Sequence, residues 1–167
     1  SLIEQIADFG CPVLLFSGGE PLLREDLFDL IAYAGRKGIR TVLSTNGTLI
    51  TRQTAERLAS LSVSYVGISL DGSADFHDHF RQVEGAFAAA IKGIRFCRLA
   101  GIPAGLRFTM TAENIGQIPS LFETAANLDV RRLCFYHLIR TGRAKDLEKA
   151  MPSAEKVRKA MEYIFSC

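Results

Sequence analysis

The chain has 167 residues, of which 48% are hydrophobic and 23% are charged, and its formal net charge is +2. This length predicts a single domain, and the charged fraction, close to that of soluble globular proteins, excludes an intrinsically disordered chain. A charge so near neutrality gives no electrostatic footprint for nucleic acid or for an anionic membrane surface. The longest apolar runs, residues 13–16 and 86–91, are far shorter than the roughly 18 residues that cross a bilayer.

Hydrophobic periodicity predicts alternating helices and strands along the chain. Helical patterns cover residues 2–9, 25–37, 51–61, 86–99, 117–128 and 153–165. Apolar or β-branched runs predict strands at 13–16, 39–45, 64–70, 104–110 and 131–139. This alternation favours an α/β fold with a parallel sheet and right-handed crossovers, either an open doubly wound sheet or a barrel. In both architectures ligands bind at the carboxyl ends of the strands, so the residues after each strand are the candidates for function.

The four cysteines, Cys11, Cys97, Cys134 and Cys167, are widely separated and form no C-x-x-C pair. In a chain with no secretory leader this spacing predicts free, packed thiols in a cytoplasmic protein, and not a disulfide framework. The chain has no initiator Met, and both of its ends fall within helical patterns. We therefore expect residues 1–167 to be part of a longer protein.

The first predicted strand is followed by the sequence Ser-Gly-Gly-Glu-Pro at residues 17–21. Gly18 and Gly19 permit a close approach of a ligand to the backbone, and Glu20 is an acceptor that suits an ammonium group better than a phosphate. No G-x-x-x-x-G-K or G-x-G-x-x-G sequence is present, which argues against a phosphate loop. Glu20 followed by Pro21 is equally typical of a helix start in a tight turn, so both interpretations stay open.

Polar residues also follow the next strands. Thr45 and Asn46 precede a glycine and by themselves indicate a routine turn. Ser69 and Asp71 lie two residues apart on one face, where a hydroxyl and a carboxylate suit a ribose, although Asp-Gly is also a common turn. Arg107 stands in an apolar strand, where its burial is costly unless a carboxylate pairs with it.

The fifth predicted strand ends in a run that contains Tyr136, His137, Leu138, Arg140 and Arg143. His137 is either a satisfied strand histidine or a base. Arg140 and Arg143 are either solvated loop charges or ligands for an acidic substrate. Taken together, the strand ends offer acceptors for an ammonium group, polar groups for a ribose and an arginine for a carboxylate, a set that complements an amino-acid nucleoside.

Two further polar pairs are interpreted as structural. His77 and His79 would share a face if their segment were extended, but two ligands are too few for a transition metal, so no metal site is expected in the chain. The pair Arg131 and Arg132 is interpreted as the solvated start of a strand.

Four segments together resemble the core of a radical S-adenosylmethionine (AdoMet) enzyme: FSGGEPLLR, LSTNGTLI, VGISLDGSADFHDHFR and LRFTMTAENI. The resemblance spans residues 1–143 and implies a partial (βα)6 barrel of the TIM type, in which the strands present are the second to the sixth. The C-x-x-x-C-x-x-C cluster motif of that family follows the first strand, and neither is present in residues 1–167. The resemblance thus implies a core domain that is truncated at both ends and inactive by itself.

In this family a reduced [4Fe–4S] cluster cleaves AdoMet to a 5′-deoxyadenosyl radical, which abstracts a hydrogen atom from the substrate. The resemblance implies that Gly18, Gly19 and Glu20 hold the ammonium group of AdoMet and that Arg107 pairs with its carboxylate. The resemblance also implies residues around the ribose, around the adenine and in the loop at residues 17–21. These are Pro21, Thr45, Asn46, Ser69, Asp71, Tyr136, His137 and Leu138. Those implied for the substrate are Arg81, Arg140 and Arg143. The cluster ligands are expected upstream of Ser1.

The segments GLRFTMT and YHLIRTGRA most resemble haem-biosynthesis members and related SPASM-type maturases. They favour modification of a tetrapyrrole side chain, with peptide modification as the alternative, and imply a one-electron donor such as a flavodoxin or ferredoxin. A non-catalytic α/β module that binds the nucleoside without a cluster stays open as a different class. A C-x-x-x-C-x-x-C motif upstream would favour the enzyme, and its absence would favour the module.

Overall fold

The computed structural model describes residues 1–138 and 150–167. Within these ranges five strands form one parallel sheet: β1 (Val13–Phe16), β2 (Arg40–Thr45), β3 (Tyr65–Ser69), β4 (Ala104–Met110) and β5 (Leu133–His137). All five predicted strands are confirmed, each within two residues of its predicted ends, although residue 139 of the last prediction lies outside the described ranges.

Helices precede, connect and follow the strands along the chain. They are α1 (Leu2–Asp8), α2 (Leu27–Arg36), α3 (Arg52–Ser60), α4 (Ala74–Arg81), α5 (Ala86–Leu99), α6 (Ile118–Asn127) and α7 (Ala154–Ser166). Short 3-10 turns cover Pro21–Leu23 and Ile115–Gln117. The periodicity predicted every helix of this set except α4, which lies between β3 and α5. In the part of the chain that is described, no helix is both long and apolar enough to cross a membrane.

The strand order decides between the two architectures that the sequence left open. The strands follow one another across the sheet in the order of the chain, and each pairs in parallel with the next. A doubly wound sheet requires a reversal of strand order, whereas right-handed crossovers that always advance in one direction place the helices on one face. The result is the curled wall of a partial barrel, as predicted.

The strands separate an apolar face from a polar one. In β4 the side chains of Leu106, Phe108 and Met110 are each 1% exposed and pack in the core beneath the helices. Arg107 and Thr109 alternate with them and point to the concave face, because successive side chains of a strand point to opposite faces. The core therefore lies between the sheet and the helices, and the concave face is left for ligands.

The four thiols are free, but they are not equally packed. Cys97 is buried, Cys11 and Cys134 are half-buried, and Cys167 is exposed. The prediction of packed thiols is therefore confirmed for Cys97 and wrong for Cys167, which follows α7 directly at the surface.

Candidate functional site

The Glu20 carboxylate ties together the ends of β1 and β2. Its Oε1 atom accepts hydrogen bonds from the Thr45 hydroxyl at 2.7 Å and from the Leu22 amide at 3.1 Å. Its Oε2 atom accepts one from the Asn46 amide at 2.8 Å. The Leu22 bond caps the turn Pro21–Leu23, so the helix-start interpretation is confirmed. Because an ionised carboxylate has about four acceptor positions, Glu20 keeps room for a further donor.

The glycines before Glu20 leave the backbone open. Gly18 has a φ of +150°, in a region that favours glycine. A Cβ atom at Gly18 or Gly19 would meet no atom within 4 Å. A ligand can thus approach this backbone closely, so the loop serves both as a structural turn and as an accessible surface.

The Asn46 side chain forms part of the turn that the sequence predicted. Its Oδ1 atom accepts hydrogen bonds from the amide and the hydroxyl of Thr48, at 2.9 and 2.8 Å. The Thr45 hydroxyl, which donates to Glu20, also accepts from the Gly47 amide at 3.0 Å. The strand end and the Gly-Gly-Glu loop are therefore one hydrogen-bonded unit.

A polar cavity of about 340 Å³ opens at the carboxyl ends of β3, β4 and β5. It is lined by Ser44, Ser69, Asp71, Arg81, Arg107, Thr109, Tyr136, His137 and Leu138. The structure thus brings seven of the sequence-predicted residues into one cavity. The other predicted cofactor residues, Gly18, Gly19, Glu20, Pro21, Thr45 and Asn46, form the hydrogen-bonded unit at β1 and β2 and do not line it.

Ser44 and Thr109 were not predicted as site residues. Thr109 lies two residues after Arg107 on the same face, so the two-residue period of the strand was the signal that could have found it. Ser44 pairs in register with Gly67 of the neighbouring strand, and nothing in the local sequence indicates that neighbour. Arg140 and Arg143 lie outside the described residues.

Asp71 is buried at the edge of the cavity, with 3% of its surface exposed. Its Oδ2 atom lies 2.6 Å from Nε of Arg81 and 3.2 Å from Nδ1 of His77. Burial acts to raise the pKa of Asp71, but the hydrogen bond with His77 and the charge of Arg81 outweigh it and lower the pKa. The carboxylate is therefore ionised and already bonded to protein groups.

The structure corrects the prediction for His77 and His79. Both lie in α4, a helix of two turns capped by Ser73 and Gln82, and not in an extended segment. Residues two apart in a helix point to different sides. His77 is accordingly 2% exposed, with Nδ1 at 3.1 Å from the Asp71 amide nitrogen and 3.2 Å from the Asp71 carboxylate, whereas His79 is exposed.

The Arg107 guanidinium packs against an aromatic ring on the concave face of the sheet. Its Cζ atom lies 4.5 Å from the centre of the Tyr136 ring. Among the residues that the structure describes, no carboxylate oxygen lies within 4.0 Å of its guanidinium nitrogens. Asp71 pairs with Arg81 instead, and Glu20 bonds to the β2 end, so neither is the structural partner of Arg107.

Comparisons with a family model and with curated proteins agree on one family. The family model described as the Radical SAM superfamily matches residues 1–125. The Fe-coproporphyrin III synthase of Methanosarcina barkeri is 47% identical over 98% of the chain and 41% of that protein. The AdoMet-dependent heme synthase of Oleidesulfovibrio alaskensis is 37% identical over 99% of the chain and 43% of that protein. More distantly, the PqqA peptide cyclase of Gluconobacter oxydans is 30% identical over 96% of the chain and 45% of that protein.

A solved structure supports the fold. The structure of Streptococcus suis SuiB bound to precursor peptide SuiA matches with a TM-score of 0.81 and 22% identity, over 98% of this chain and 37% of that one. The chain spans less than half the length of each of these curated relatives. The family model nevertheless covers most of the chain, including the Gly-Gly-Glu loop and strands β1 to β4. The chain belongs to the radical SAM superfamily.

Proposed function

We propose that this chain is the AdoMet-binding core of a radical SAM enzyme that modifies a side chain of a tetrapyrrole in haem biosynthesis. The observation that carries the proposal is the cavity in which Arg107 faces the carboxyl ends of three strands beside Ser69 and Asp71. The similarity to proteins named Fe-coproporphyrin III synthase and AdoMet-dependent heme synthase supports the tetrapyrrole as substrate class.

The residues of the chain suit AdoMet but not an iron–sulfur cluster. A cluster needs several thiolate ligands close together, and within residues 1–138 and 150–167 no group of three or more His, Cys, Asp or Glu side chains could hold a metal. We therefore place the cluster ligands outside this chain. AdoMet bound at a reduced [4Fe–4S] cluster would supply a 5′-deoxyadenosyl radical for hydrogen abstraction.

The proposed task of this chain is to bind and orient AdoMet. The Glu20 carboxylate and the open backbone of Gly18 and Gly19 would accept hydrogen bonds from the ammonium group. Arg107 would form a charge-assisted pair with the carboxylate.

The remaining polar groups would contact the nucleoside. Ser69 and the acceptor positions of Asp71 that Arg81 and His77 leave open would bind the ribose, together with Asn46. The adenine would lie against residues 136–138, where the Tyr136 ring is 37% exposed. Thr45 and Pro21 would act indirectly, because both hold the Gly-Gly-Glu loop in place.

Substrate and electron donor follow from the same proposal. We place Arg81, Arg140 and Arg143 toward an acidic substrate, and we expect a flavodoxin or ferredoxin as the one-electron donor. A peptide substrate is the second candidate, and the 30% identity to a PqqA peptide cyclase favours it only distantly.

The test uses the complete protein that contains this chain and the variant Glu20→Gln. The amide keeps the size of the side chain but loses the negative charge that an ammonium group prefers. Loss of a charge-assisted hydrogen bond costs about 1.5–3 kcal/mol, so we expect AdoMet to bind about ten- to a hundredfold more weakly in calorimetric titrations. Glu25→Gln changes an exposed carboxylate five residues away and is the matched control. Equal AdoMet affinity in the two variants would contradict the assignment.

The substrate class is tested by the formation of 5′-deoxyadenosine. With the reduced holoenzyme, we expect a porphyrin that carries carboxylate side chains to stimulate this product. Stimulation by a peptide and not by the porphyrin would transfer the proposal to the second candidate.

A further inference from the structure

His77 is a buried side chain that contacts both the backbone and the carboxylate of Asp71. Its Nδ1 atom lies 3.1 Å from the Asp71 amide nitrogen and 3.2 Å from Oδ2 of Asp71. The His77 side chain is 3% exposed and that of Asp71 is 4% exposed. Because water barely reaches either group, each of them depends on the other as a polar partner.

The contact begins where the pairing of β3 with β4 ends. The Leu70 amide still donates a hydrogen bond at 3.1 Å to the Arg107 carbonyl oxygen of β4. The next amide, that of Asp71, lies against His77 instead, and the chain then turns at Gly72, whose φ is +152°. A histidine of α4 thus takes the place of the next ladder partner and sets the direction in which the Asp71 side chain leaves the strand end.

Two contacts with α5 hold His77 itself in place. The His77 and Phe87 rings pack edge to face, with their centres 6.0 Å apart. The neighbouring Asp78 carboxylate accepts hydrogen bonds from the amides of Gly85 and Phe87, both at 2.7 Å, at the start of α5. Because packing fixes its ring and its helix, His77 presents Nδ1 to Asp71 in one orientation.

The two side chains that contact the Asp71 carboxylate both lie against the same oxygen. Nε of Arg81 lies 2.6 Å and Nδ1 of His77 lies 3.2 Å from Oδ2. Asp71 also lines the polar cavity at the carboxyl ends of β3 to β5. A carboxylate accepts hydrogen bonds at both oxygens, so a carboxylate held by Oδ2 leaves Oδ1 as the oxygen for a ligand in the cavity. The Arg81 side chain is 39% exposed, whereas His77 is buried, so His77 is the more rigid of the two contacts.

We propose that His77 is a positioning residue for AdoMet, which holds the Asp71 carboxylate by Oδ2 and so directs Oδ1 at the ribose hydroxyl groups. The inference rests on the proposed function and deepens it, because it names the residue that gives the site a preference for ribose over deoxyribose. A hydroxyl donates to a carboxylate oxygen only over a narrow range of distances and angles. A displaced carboxylate therefore loses this bond, and His77 acts on AdoMet through Asp71.

The experiment measures the binding of AdoMet and of its 2′-deoxy and 3′-deoxy analogues to the complete protein by calorimetric titration. The ribose preference is the ratio of the Kd of the weaker-binding analogue to the Kd of AdoMet. For the wild type we expect a preference of about ten- to a hundredfold, as for one hydrogen bond to a charged group. No substrate is added, so the result does not depend on the substrate class.

Two amide variants separate positioning from packing. His77→Asn places a polar amide atom near the position of Nδ1, whereas the longer His77→Gln places it near that of Nε2, away from Asp71. We expect His77→Asn to keep most of the ribose preference. We expect His77→Gln to lose it, because AdoMet binds about ten- to a hundredfold more weakly while the weaker analogue binds as it does to the wild type. His79→Gln, at an exposed position of the same helix, is the matched control and should keep the wild-type preference.

A role in packing alone predicts a different pattern. His77→Gln, which is closer to histidine in size, would then be the milder change, and AdoMet and its analogues would lose affinity by the same factor. Retention of the preference in His77→Gln, its loss in His77→Asn, or its absence from the wild type would overturn the inference. Denaturant melts report the fold of each variant, and where His77→Gln does not fold, His77→Asn decides alone. Failure of the wild type to bind AdoMet at all would instead contradict the proposed function.

Discussion

The Oδ2 atom of Asp71 lies 2.6 Å from Nε of Arg81, and this ion pair joins the end of β3 to the last turn of α4. The Asp71 side chain is 4% exposed and that of Arg81 is 39% exposed. Water cannot replace the partners of the Asp71 carboxylate, because the side chain is buried. The ion pair with Arg81 therefore holds α4 in place beside the cavity. His77, on the same helix, contacts the same oxygen at 3.2 Å.

Asp71→Asn is expected to destabilise the protein by about 1–3 kcal/mol, because it weakens buried hydrogen bonds to a charged group. The pKa of Asp71 is lowered in the folded state. A lowered pKa stabilises the fold above the unfolded value of about 4, and this stability is lost as the pH falls through the folded pKa. Denaturant melts between neutral pH and about pH 3 should therefore show a shallower acid loss for Asp71→Asn than for the wild type. The exposed Asp75→Asn should keep the wild-type acid loss; an identical loss in Asp71→Asn would show that the ion pair does not contribute.

Gly105→Ala tests the space that the sheet reserves for Tyr65. The added methyl group would overlap the Tyr65 hydroxyl and lie 2.9 Å from the Tyr65 ring and from the Arg132 carbonyl oxygen, so the Tyr65 side chain must move. Overpacking of this kind costs about 1–3 kcal/mol of unfolding free energy. Gly116→Ala, where a Cβ atom meets nothing within 4 Å, is the control and should be tolerated. The double variant with Tyr65→Leu should recover part of the loss, and a Gly105→Ala protein as stable as the control would contradict the placement of Tyr65.

The thiols should differ sharply in reactivity. Burial raises the pKa of Cys97 to about 12, so almost none of it is the reactive thiolate at neutral pH. Cys167 is exposed. Iodoacetamide labelling followed by peptide mass spectrometry should modify Cys167 in the native protein and Cys97 only after unfolding. Modification of both at the same rate under native conditions would show that Cys97 is accessible.

The sequence predicted the strand ends well because parallel strands present their carboxyl ends at one edge. From that rule alone, Ser69, Arg107 and Tyr136 could be expected to lie close together, and they line one cavity. The fold also followed from the alternation of periods, although the choice between an open sheet and a barrel needed the family resemblance or the observed strand order.

The interactions around Asp71 could not be predicted because they depend on α4. That helix has two turns, and its apolar signal consists mainly of Phe76 and Phe80, which stack four residues apart with ring centres 5.9 Å apart. Two apolar residues are too few for a periodicity argument. Without the helix, neither the burial of His77 nor the ion pair of Arg81 could be foreseen.

Arg107→Met separates ligand binding from stability more directly than any other substitution in the cavity. A half-buried guanidinium without a carboxylate partner carries a desolvation cost that its packing on Tyr136 offsets only in part. Methionine fills a similar volume without that cost. We therefore expect the free energy of unfolding to stay unchanged or to rise in the absence of AdoMet.

The same substitution should abolish AdoMet binding, because the proposed partner of the AdoMet carboxylate is gone. Paired denaturant melts and calorimetric titrations of the complete protein measure the two effects, and Arg40→Met, an exposed arginine at the start of β2, is the matched control that should change neither. Removing a structural ion-pair partner would instead cost about 3–5 kcal/mol. A destabilised Arg107→Met protein that binds AdoMet normally would show that Arg107 supports the fold and does not contact the cofactor.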